Sequence, residues 1–144
     1  MQPESDASTL SHKQILRGAA IGGITNGIIN GVIQYFMLRG DVSIPLTVNG
    51  IINDEHTVLG TAVPLAVVLA MILTVIAHLT LKAPKKPFIP QALWLTIKHG
   101  LFIFGVIVST AVIWQRVMGS MHVSLMTAVV VLGLIAGFVA AVIN

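Results

Sequence analysis

The chain has 144 residues, of which 56% are hydrophobic and 9% charged, with a formal net charge of +3 and no cysteine. Soluble proteins carry about 25% charged residues, so this chain has too few polar side chains to cover a water-facing surface and reads as one membrane domain. The absent thiols exclude disulfides, thiolate metal sites and thiol nucleophiles. The basic residues sit at the edges of apolar segments, where they set topology rather than bind nucleic acid.

Residues 1–14 are expected to be a mobile polar N-terminus. Glu4 and Asp6 fall where a cleavable signal peptide would need a basic start and a short apolar core. Residues 15–144 are expected to form a four-helix membrane domain, with spans at about 15–38, 58–81, 91–115 and 122–143. Each is long enough to cross about 30 Å of hydrocarbon at 1.5 Å per residue.

The first span is unlike the others. Gly18, Gly22, Asn26, Asn30 and Gln34 recur every four residues, with Gly23, Gly27 and Gly31 as a second row beside them. On a helix such rows run nearly parallel to the axis. Ile21, Ile24, Ile28 and Val32 fall on the opposite side. In lipid, small residues let a neighbouring helix approach closely and amides hydrogen-bond across the contact. The row therefore has two readings: a packing face, or a polar path that contacts a solute.

Gly40 and Asp41 end the first span, and the connection 41–57 is the longest. Around Asn49-Gly50 it has the signature of a local hairpin, and lying along the interface is the other option. Pro64 falls in the first two turns of the second span, where a missing amide hydrogen costs least. The basic connection from Lys82 to Pro90 holds three prolines, which forbid helix there. Trp94 and Trp114 bracket the third span about 30 Å apart, fit for an indole at each interface. A turn at Gly119 and Ser120 leads to the fourth span, where Gly133 and Gly137 make a GxxxG pair.

With both ends cytoplasmic, the inner side carries Lys13, Arg17, Lys82, Lys85, Lys86 and Lys98, and the outer side Arg39 and Arg116. The positive-inside rule favours that arrangement. The expected fold is all-α: a polytopic, four-transmembrane-helix up-down bundle with N and C termini cytoplasmic. Its expected place is the plasma (inner) membrane as a multi-pass protein, with anionic lipid drawn to the cytoplasmic face by the lysines.

Every acidic residue lies at or before position 55, and none falls inside a span. Proton-coupled carriers keep a titrating carboxylate in the membrane, and di-iron bundles need several inward glutamates. The histidines raise a redox alternative. His78 and His99, with Lys98, form an inner polar cluster; Asp54, Glu55, His56, Arg116 and His122 form an outer one. The two levels lie about 33 Å apart along the helices, which argues against a buried haem pair, and neither has a closed zinc set unless Asp54 or Glu55 joins. Interfacial histidine is the favoured reading, with no cofactor and no metal. Lys98 is expected to extend its ammonium to the headgroups.

No catalytic grouping or phosphate loop is present, so an enzyme is not expected. The leading expectation is a transport-type protein, a permease or channel subunit. In it Asn26, Asn30 and Gln34 contact a neutral or weakly charged solute, and a homo-oligomer or larger membrane partner completes the path. The alternative is a non-transporting accessory or assembly subunit that uses Gly23, Gly27, Gly31 and the amides for helix contact. A haem-binding membrane redox protein comes third.

Overall fold

A computed structural model describes residues 12–41, 43–49, 56–80 and 88–143. In chain order the elements are α1 (His12–Leu38), β1 (Ile44–Leu46), α2 (Val58–Thr80), α3 (Leu93–Met118), β2 (Met121–Val123) and α4 (Leu125–Ile143). A five-residue π-helical turn, Phe88–Ala92, leads into α3. Within it Ile89 is extended (φ −105°, ψ 129°), as the ring of a following proline requires. Residues 1–11, the 50–55 part of the long connection, and Lys82, Lys85 and Lys86 lie outside the described residues.

Among the described residues three stretches are long and apolar enough to cross a membrane: Val58–Thr80, Phe88–Met118 and Leu125–Ile143. These are the marks of a membrane protein. At 27 residues α1 has the length but is the least apolar of the four helices, because its amides and five glycines dilute its isoleucines.

The far side of the hairpin expected around Asn49-Gly50 lies outside the described residues. The described part of that connection holds Ile44–Leu46, which pairs antiparallel with Met121–Val123, in the register Ile44 to Val123, Pro45 to His122 and Leu46 to Met121. A strand three residues long needs a partner across the fold, because a short isolated hairpin is marginal. This pairing moves the start of α4 from His122 to Leu125. It also joins the α1–α2 connection to the α3–α4 connection, so the helices run alternately towards and away from one β ribbon.

The ribbon is tied to α3 by a side chain. Gln115 Oε1 accepts hydrogen bonds from Val48 N–H (2.6 Å) and Thr47 Oγ1 (3.1 Å). Thr47 Oγ1 in turn accepts from Asn49 N–H (3.2 Å). Beneath the ribbon Leu38, Ile44, Leu46, Val58 and Leu59 are buried together. Thr57 caps α2, its hydroxyl accepting from Gly60 N–H at 3.0 Å, which satisfies one of the orphan donors of a helix start.

The helices form a row in the order α1, α4, α2, α3, in which α1 packs on α4 and only incidentally on α2 or α3. Of the three other helices, the small face of α1 meets one, α4. Small residues explain the close neighbours. Ala62, Ala66 and Ala70 of α2 and Ala128, Ala136 and Ala140 of α4 are buried. On α3, a Cβ on Gly100 would come within 3.0 Å of Met71 Cγ on α2.

Candidate functional site

The glycine row of α1 meets the glycine pair of α4. A Cβ added to Gly23 would lie 2.9 Å from the Gly137 carbonyl oxygen, and one on Gly27 would lie 3.0 Å from that of Gly133. The reverse contacts repeat the same distances: Gly133 on Gly27 O and Gly137 on Gly23 O. The opposing atoms are main chain, so no side-chain rotation relieves them. Here the two backbones touch, and only glycine permits it. Gly31, one turn on, meets Val129 at an ordinary 3.8 Å.

The amides flank this seam and turn inward on their own helix. Asn26 Nδ2 donates to Gly22 O and Asn30 Nδ2 to Asn26 O, each at 2.9 Å. Each back-bond meets one N–H of the amide on its own helix, and neither asparagine makes a hydrogen bond to another helix among the described residues. Asn30 is buried, and Gln34 is only 3% exposed. Gln34 Oε1 has no hydrogen-bond partner. An unmet buried acceptor costs about 1–3 kcal/mol. Gln34→Met, of similar length, is therefore expected to stabilise the protein by about 1 kcal/mol, read as a rise in the thermal midpoint in detergent. A fall would mean that the oxygen finds a donor in the membrane.

The groove beside the seam is apolar. It holds about 760 Å³ and lies between α1 and α4, over the isoleucine side of α1. Its floor is Gly23, Gly27, Gly31, Gly133 and Gly137, and neither Asn26, Asn30 nor Gln34 lines it.

The residues of the inner cluster take separate partners. His99 Nδ1 lies 2.9 Å from Thr74 Oγ1. That hydroxyl gives its one proton to Ala70 O at 2.7 Å, so it accepts from His99, which places the proton of a neutral ring on Nδ1. His78 stacks obliquely near Phe88, ring centres 5.9 Å apart. Lys98 Nζ sits 5.4 Å above the Trp94 ring, one turn nearer the start of α3, the direction an extending lysine takes along a helix.

At the ribbon end His122 stands opposite Pro45, while His56 precedes α2 and Arg116 is in the last turn of α3, all three exposed. Asp54 and Glu55 lie outside the described residues. Among the described residues no three His, Cys, Asp or Glu side chains gather as a metal set.

Two functional-looking contacts escape a reading of the sequence. Gln115 reads only as the end of a span, although a lone amide at a helix end is a signal for a loop anchor. Thr74 reads as an ordinary back-bonded threonine, and its second role depends on which residue of α3 faces it. No protein family matches the chain, and neither a curated protein nor a solved structure matches it.

Proposed function

We propose that all four helices cross the bilayer with both ends cytoplasmic, and that the chain is a non-transporting subunit of a larger membrane assembly. The observation that carries this is the state of the α1 face. Gly23, Gly27 and Gly31 meet α4, and Asn26 and Asn30 each donate a side-chain hydrogen bond to their own backbone. A face so occupied holds the fold together. It leaves the exposed sides of the helices, among them Ile21, Ile24 and Ile28 of α1 and Leu101 and Phe102 of α3, to meet lipid and other subunits. Topology follows the charges: Arg39 and Arg116 stand at the ribbon end, and Lys13, Arg17 and Lys98 at the other, which the positive-inside rule places in the cytoplasm.

Solubilisation in a mild detergent tests the reading. The 15.3 kDa chain is expected to run in a complex several times its mass, and vesicles holding it alone are expected to show no solute flux above empty ones. Flux from the chain alone contradicts the proposal.

A transport-type reading, as permease or channel subunit for a neutral or weakly charged solute, keeps one specific observation. Gln34 Oε1 is a buried acceptor awaiting a donor, and the N–H or O–H of a passing solute is one. On that reading the joint replacement of Asn26, Asn30 and Gln34 by leucine abolishes flux.

A further inference from the structure

We infer that the groove between α1 and α4 seats one acyl chain of a phospholipid, with the lipid's phosphate at Arg39 in the leaflet on the ribbon side. The inference rests on the proposed reading that α1 crosses the bilayer. Three features converge. First, the groove has the shape of a chain rather than of a compact solute. Its α1 wall runs from Ala20 to Tyr35 and its α4 wall from Met126 to Ala141; fifteen residue steps make about 22 Å, more than the share of one leaflet in a hydrocarbon core of about 30 Å. Second, its lining suits methylenes. Ile24, Ile28 and Val32 face Val130, Leu134 and Phe138 across a glycine floor, and Tyr35 is the one polar side chain among them. Third, the mouths differ: Arg17 precedes Ala20 by three residues at one, but only the other combines a cation with a polar lining side chain. Tyr35 closes the groove there, and Arg39 follows four residues later, its guanidinium 5.7 Å from the centre of the Phe36 ring. Met126 lies in the first turn of α4 at the same mouth, where the positive end of the helix dipole adds to the field. Ser124 Oγ accepts from Thr127 N–H at 3.3 Å in that turn. A phosphodiester carries one negative charge in every phospholipid, so the mouth complements it.

The same charge argues against a second copy of the chain in the groove. Two copies inserted the same way are related by an axis along the membrane normal, and an isologous contact there sets Arg39 level with Arg39. Like charges in apposition are unfavourable. Asp41 is the single carboxylate among the described residues at this end, and its backbone N–H closes a turn on Leu38 O at 2.9 Å.

A photoreactive phospholipid, with a diazirine in the acyl chain, tests the seat in phosphatidylglycerol vesicles holding the full chain. Adducts are mapped by mass spectrometry and compared with those on the lipid-facing side of α3 at Leu101, Phe102 and Ile113. Groove residues are expected to be labelled well above that face. Ile28→Trp and Val130→Trp fill the groove without touching the glycine seam and are expected to bring labelling down to the α3 level. Arg39→Gln is expected to lower it about fivefold, the effect of one basic residue on a lipid contact, and Arg39→Lys to restore it. Labelling equal to α3 overturns the seat but leaves the membrane placement of α1 standing. Labelling below α3 means a protein covers the groove and overturns it too. No adducts on α1 while α3 and α4 are labelled overturns both the seat and the spanning of α1. Strong labelling that ignores Arg39 overturns the headgroup assignment.

Discussion

Replacing Gly137 by leucine is expected to part α1 from α4. Even a methyl group at 137 would lie 2.9 Å from the Gly23 carbonyl oxygen, so the side chain has nowhere to go unless a helix moves. Overpacking a filled core costs about 1–3 kcal/mol when side chains can give way; here the obstacle is backbone, so the cost is expected at or above the top of that range. Because the chain has no cysteine, a disulfide can report the seam directly. A Cβ at Gly31 would lie 3.8 Å from Val129 Cγ1, so Gly31→Cys with Val129→Cys is expected to crosslink α1 to α4 on oxidation. Adding Gly137→Leu is expected to abolish that crosslink. Gly105→Leu is the control, since nothing lies within 4 Å of a Cβ there, and is expected to leave the crosslink intact. A crosslink that survives Gly137→Leu would show that the seam yields at little cost.

Gln115→Leu is expected to release the β ribbon. The substitution removes the acceptor of two hydrogen bonds, from Val48 N–H and Thr47 Oγ1. It leaves a part-buried backbone donor unmet, at about 1–3 kcal/mol. Gln115→Glu keeps an acceptor at the same reach and is expected to retain the ribbon. Hydrogen exchange at Val48 separates the outcomes. Exchange should rise by at least about tenfold in the leucine variant, tenfold being 1.4 kcal/mol, and stay near the parent rate in the glutamate variant. Equal protection in all three proteins would place the anchor elsewhere.

Much of the helical architecture is legible in the residues, because hydropathy and span length are local properties. The start of α2 at Val58 and the end of α1 at Leu38 fall where composition changes. The two glycine motifs, in α1 and α4, are visible as rows. That they meet each other is not, because a row says which face is small and not which helix comes to it. The amide row shows the same limit from the other side. Its spacing reads as a path or a contact, and a back-bond to the carbonyl four residues earlier is a local option that spacing alone does not separate from either. The β ribbon is the least legible part. Each strand has three residues and pairs across most of the chain, so neither carries a period long enough to read. The Gln115 anchor shares that fate, since its partners lie in a loop more than sixty residues earlier.

The central claim is that the amide and glycine face of α1 is a packing face turned into the protein and not a water-filled path. Single cysteines at Asn30 and Gln34, introduced one at a time into this cysteine-free chain, test it most directly in intact membranes with a small water-soluble thiol reagent. A cysteine at Arg39, which is exposed beyond the end of α1, serves as the reactive reference. The account predicts that positions 30 and 34 stay unreacted while position 39 is modified. Modification of 30 and 34 at a rate near that of 39 would contradict it, and would place water, and the path for a solute, along α1.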